Sequence, residues 1–124
     1  MRIFFVGAGG FFGAIFRYLL GGWVHKILKN PWYPFGTFAV NVLGCLFIGI
    51  LGGLVENKHL FNPSTRLFLL VGLLGGFTTF STFGYDSFVL LRDTQIIAAI
   101  MNIALQVVLG LGAVYLGYTI SSVI

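Results

Sequence analysis

In a chain that is 58% hydrophobic, one run concentrates the polar groups: Gly75-Gly76-Phe77-Thr78-Thr79-Phe80-Ser81-Thr82-Phe83-Gly84-Tyr85-Asp86. Four hydroxyl residues, Thr78, Thr79, Ser81 and Thr82, fall within five positions. Phe77, Phe80 and Phe83 recur every third residue, the spacing of one helix face. Hydroxyls donate hydrogen bonds without carrying charge. Aromatic rings present a positive edge. Such a set can replace the water around an anion without trapping it as a fixed cation would, which suits passage rather than storage. The bland reading of the same stripe is helix packing.

Other polar side chains stand alone in apolar surroundings. Asn41 is either a hydrogen-bonding link between helices or the lining of a pathway. Asn102 and Gln106, four apart, share a helix face and form a second polar strip or bond a neighbouring helix. Arg17 is read as structural, since its long side chain reaches an interface. Asp86 has the same option. Reactive chemistry is missing. His25 and His59 fall in connections, and no nucleophile pairs with a histidine. No carboxylate pair, phosphate-binding glycine loop or metal-ligand cluster occurs. Cys45 is a lone packing residue. An enzyme and a primary pump are therefore excluded. A proton-coupled multidrug exporter needs a carboxylate deep in its first helix, where the only charge here is Arg17.

The elements that must hold these groups follow from charge and length. Only seven Lys/Arg and three Asp/Glu occur in 124 residues, too few to cover a soluble domain. The basic residues are scattered, which excludes nucleic acid as a partner. Apolar runs at 3–24, 35–55, 67–91 and 96–122 each reach the ~20 residues that a helix needs to cross a lipid bilayer. The expected fold is all-α: one four-helix transmembrane domain over 1–124. The short connections hold most of the remaining charge, with Pro31 and Pro63 marking the first and second. Arg17 and the missing cleavage site argue against reading the first run as a signal peptide. Within the third run, paired glycines followed by hydroxyls predict a break near 75–79, with helix resuming around Phe80. The alternative is an unbroken helix whose Ser and Thr bond back to earlier carbonyls.

Arg2, Lys58 and Arg66 fall on one side of the membrane and Lys26, Lys29 and Arg92 on the other. That balance gives the positive-inside rule nothing to act on. The chain then inserts both ways and pairs antiparallel with itself, or Arg17 or the N-terminal amine breaks the tie. Gly9 with Gly13, Gly49 with Gly53 and Gly72 with Gly76 have helix-packing spacing, serving contacts within the bundle or an oligomer. A dimer or larger assembly is expected.

At the Gly75–Phe83 run the sequence resembles the Fluc/CrcB family of fluoride channels. Gly36-Thr37-Phe38-Ala39-Val40-Asn41 and Gly13 with Arg17-Tyr18 extend the likeness, which covers the whole chain. The resemblance implies an antiparallel, dual-topology homodimer that conducts fluoride passively and protects the cell by exporting it. It implies that Phe80 and Phe83 line the pore with Asn41. It also implies a structural, untransported sodium ion held by backbone carbonyls at Gly75 and Thr78. Thr79, Ser81 and Thr82 fit beside them as uncharged donors. Asp86 stands where members often carry Glu, and Gly84 where they carry Ser. Asn102 and Gln106 match a hydroxyl-bearing strip only loosely, and Tyr85 is carried with them as a pore position. A multi-pass protein of the cytoplasmic membrane is expected. The competing readings are a coupled exporter and a subunit that only packs against partners.

Overall fold

The computed structural model describes residues 1–29 and 32–124. Pro31, assigned to the first connection, lies outside the described residues. Every regular element described is helical. Helix α1 spans Arg2–Ile27 and α2 spans Phe35–Lys58. The third stretch is composite: α3 (Pro63–Arg66), a π-wound segment (Leu67–Leu74), α4 (Gly75–Phe77) and, after two extended residues, α5 (Phe80–Arg92). Helix α6 spans Ile96–Val123. Among the described residues, four stretches are long and apolar enough to cross a membrane. Helices run past the apolar runs because winding continues where hydropathy stops.

Local chemistry sets the boundaries. His59 ends α2 in the left-handed region at φ 50°. Asn62 then caps α3, its Oδ1 accepting from Thr65 N at 2.8 Å, with Pro63 at the first helical position, where its missing N–H costs nothing. Arg66 Nε donates to the Phe61 carbonyl at 2.9 Å and closes that corner. Thr94, at φ 62°, makes the turn between α5 and α6. In the first connection, Tyr33 is buried and packs its ring 4.8 Å from that of Phe35. Burial pushes its phenol above the ordinary pKa.

Two pairings build the bundle: α2 lies along α6, and α1 lies along the π-wound segment and α4. Glycines make both possible. A methyl on Gly13 would strike the Leu73 carbonyl, and one on Gly9 the Phe68 carbonyl. A Cβ on Gly72 would lie 2.6 Å from the Val6 carbonyl, and one on Gly76 2.8 Å from the Gly10 carbonyl. On the other pair, Gly49 faces the Val114 carbonyl, Gly53 faces Ser121, and Gly117 faces the Leu46 carbonyl. All three glycine pairs are thus used in packing within the chain, and they are not evidence for an oligomer.

Between Phe77 and Phe80 the backbone leaves helical geometry. Thr78 has φ −84° and ψ 159°, and Thr79 has φ −150° and ψ 114°. Gly75 and Gly76 remain helical. This offset also separates the phenylalanines. Phe77 is buried where α4 meets α1, whereas Phe80 is 84% exposed. The three rings do not share one face, because two extended residues interrupt the helical period.

Candidate functional site

The site forms around Thr79. As the N-cap of α5, its Oγ1 accepts from Thr82 N at 3.2 Å, a role that Thr fills well because an otherwise orphaned amide is satisfied. The same hydroxyl donates to Thr82 Oγ1 at 3.0 Å and lies 3.4 Å from Ser81 Oγ. Asn41 of α2 grips the Thr79 peptide from the other side. Its Oδ1 accepts from Thr79 N at 2.8 Å, and its Nδ2 donates to Thr79 O at 3.1 Å. A neighbouring strand would pair with extended backbone in this way. Here one amide side chain does so, meeting the need that buried backbone groups be paired.

Asn41 Nδ2 also donates to Gln106 Oε1 at 2.8 Å. Gln106 Nε2 donates to Asn102 Oδ1 at 2.8 Å, and Asn102 Nδ2 donates to Ser87 Oγ at 2.9 Å. Ser87 Oγ donates to the Phe83 carbonyl at 2.8 Å. The result is an unbroken row of bonds from α2 across α6 to α5. Asn102, Ser87 and Gln106 are all buried. In lipid such amides are satisfied by one another rather than by water.

A cavity of about 360 Å³ opens beside this row. Asn41, Thr79, Phe80, Phe83 and Gln106 line it together with apolar groups from α2 and the π-wound segment, and no charged side chain does. The Phe80 and Phe83 ring centroids are 5.6 Å apart at 46°. Thr78 and Gly75 border the same space. A second crevice of about 200 Å³ lies across Thr79, walled by Arg17, His25, Thr37 and Thr82. Asp86 is half-buried on α5, near Thr37. Thr79 is the residue common to both spaces.

The two extended residues also change which partners the nearby backbone groups meet. In a continuous helix Thr79 N–H would bond the Gly75 carbonyl, and Thr82 N–H the Thr78 carbonyl. Here the first goes to Asn41 and the second to Thr79 Oγ1. The Gly75 and Thr78 carbonyls are released from those partners.

Of the residues singled out in the sequence, Asn41, Thr79, Phe80, Phe83 and Gln106 converge on the first cavity, with Gly75 and Thr78 at its edge. Thr82 and Arg17 border the second crevice. Ser81 and Tyr85 are exposed and border neither, and Asn102 is buried behind Gln106. Ser87 escaped the sequence reading, and Thr37 entered it only within the Gly36–Asn41 run, with no role of its own. A hydroxyl opposite a buried amide was the available signal for Ser87.

The profile of the CrcB-like protein family, Camphor Resistance (CrcB), matches residues 4–118. The chain is 44% identical over 119 residues to fluoride-specific ion channel FluC 3 of Methanosarcina barkeri, covering 96% of this chain and 89% of that protein. It is 46% identical over 115 residues to fluoride-specific ion channel FluC 1 of Methanosarcina acetivorans, covering 93% and 86%. With fluoride-specific ion channel FluC of Campylobacter fetus it shares 42% over 121 residues, covering 98% and 94%.

Proposed function

Because this chain belongs to the CrcB family, we propose that it is a fluoride channel: a multi-pass protein of the cell membrane, not an enzyme, that exports fluoride passively. The observation that carries this reading is the lining of the cavity beside Asn41 and Gln106. Two phenylalanine rings stand beside amide and hydroxyl groups, and no charged side chain is among them. Stripping a small anion of water costs tens of kcal/mol in apolar surroundings unless donors replace it. Uncharged donors and ring edges replace it without binding the ion too firmly to leave. The N-terminal end of α5, beginning at Phe80, adds the positive end of a helix dipole. The first span, whose only charge is Arg17, lacks the deep carboxylate that a coupled exporter of this size needs.

Further features belong to this reading. The functional unit is an antiparallel homodimer of chains inserted in both orientations. The 84% exposure of Phe80 supports it, since a ring serving a pathway needs a wall opposite. Ser81 and Tyr85 take part where that second chain packs, and Thr82 with Asp86 lines the approach through the smaller crevice. The third span works as a broken helix, and the Gly75 and Thr78 carbonyls hold a structural sodium ion. Their release from helical bonding fits a hard cation's preference for oxygen ligands. Bound there, sodium would add a positive field shared by both subunits. Arg17 is structural, bracing the crevice wall.

The test is anion efflux from liposomes containing only this chain, with potassium ionophore to clamp the voltage. Rapid fluoride release with negligible chloride release is expected. Equal release of both ions, or none with sodium present and the dimer intact, would refute the assignment.

A further inference from the structure

The row of bonds from Asn41 to Phe83 has a direction fixed at both ends. Thr79 N–H can only donate, so the Asn41 atom it meets at 2.8 Å must be the carbonyl oxygen. Asn41 Nδ2 must then point toward Thr79 O and Gln106 Oε1. That turns Gln106 Nε2 toward Asn102 Oδ1, and Asn102 Nδ2 toward Ser87 Oγ. At the far end the Phe83 carbonyl can only accept, so Ser87 gives it the hydroxyl proton. Flipping any one amide would set two donors or two acceptors against each other.

The direction decides which amide has a proton to spare. Both hydrogens of Asn41 Nδ2 are engaged, one on Thr79 O and one on Gln106 Oε1. Asn102 has no exposed surface and does not border the cavity. Gln106 gives one Nε2 hydrogen to Asn102 and borders the cavity beside Phe80 and Phe83. We propose that Gln106, not Asn41, supplies the amide donor to the passing anion, and that Ser87 and Asn102 are positioning residues that hold it in that orientation. This rests on the channel reading above. Asn41 then serves chiefly to hold the extended Thr79 backbone.

Two measurements on the full chain test it. In liposomes, Ser87→Ala should slow fluoride efflux about tenfold, the scale of one lost buried hydrogen bond. Ser87→Thr, which restores the hydroxyl, should recover most of the loss. In a Gln106→Met background, Ser87→Ala should cost nothing further, because its effect passes through the missing amide. Wild-type rates in Ser87→Ala, or losses that multiply with Gln106→Met, overturn the proposal. Side-chain amide NMR of the solubilised dimer gives a readout independent of transport. One fast-exchanging and one protected proton on Gln106 support the relay, whereas equal exchange of the two overturns it. A wild-type chain that releases no fluoride sinks the channel reading, and the relay is then judged on exchange alone.

Discussion

Thr79 shows how much one residue does when the backbone is freed. Its amide and carbonyl hold α2 through Asn41, and its hydroxyl caps α5. Its wall faces two cavities. Residue types announced part of this in the sequence: hydroxyls beside paired glycines and a lone Asn in an apolar run each signalled unmet hydrogen-bonding demand. The pairing of Asn41 with Thr79, 38 positions away, was not legible, since spacing within one helix says nothing about its neighbour. Phe77 misled for a related reason: a three-residue period holds only while the helix does. Phe80 and Phe83 follow the two extended residues and lie together on the cavity. Replacing either with Ile keeps the apolar bulk and removes the ring edge. Fluoride efflux should fall by up to about tenfold for each, the scale of one aromatic edge contact, while the purified protein elutes on size exclusion as the unsubstituted chain does. Unaltered efflux in both variants would remove the rings from the pathway.

At the scale of elements, four apolar runs were visible because hydropathy over twenty residues is a strong signal. Winding was not. Leu67–Leu74 reads as Leu-Phe-Leu-Leu-Val-Gly-Leu-Leu, and nothing in that apolar string separates π from α winding, which differ only in which carbonyl each amide meets. Glycine spacing was legible as close packing but not as to partner. The partners lie within the chain, where helix backbones meet with no room for a side chain. Gly13→Ala should therefore destabilise the folded chain by about 2 kcal/mol, the typical cost of overpacking, because the obstructing atom is the Leu73 carbonyl on a rigid helix. Gly7 sits on the same helix with nothing within 4 Å of an added Cβ, so Gly7→Ala should leave stability intact. Thermal unfolding in detergent compares the two. Equal midpoints would mean that α1 and the π-wound segment do not approach this closely.

For the whole molecule, the decisive quantity is a near-absence: three basic residues on each side of the membrane give little reason to prefer one insertion. Both orientations are what an antiparallel pair requires, and the exposed ring of Phe80 needs a wall from somewhere. The balance is therefore a lever. Glu56→Lys with Asn57→Lys, at the exposed end of α2, should commit every copy to the orientation that keeps this end in the cytoplasm. Leu28→Lys with Gln95→Lys should commit every copy to the opposite one. Antiparallel pairs cannot form from either variant alone, so fluoride resistance of cells expressing one should fall to that of cells lacking the chain. Co-expression of the two should restore it. That complementation separates a pairing defect from damage to the fold, because two misfolded chains do not rescue each other. Full resistance from each variant alone, with its orientation verified by cysteine labelling of the connections, would mean that parallel copies or single chains conduct. The wall opposite Phe80 would then have to come from lipid or from within the chain.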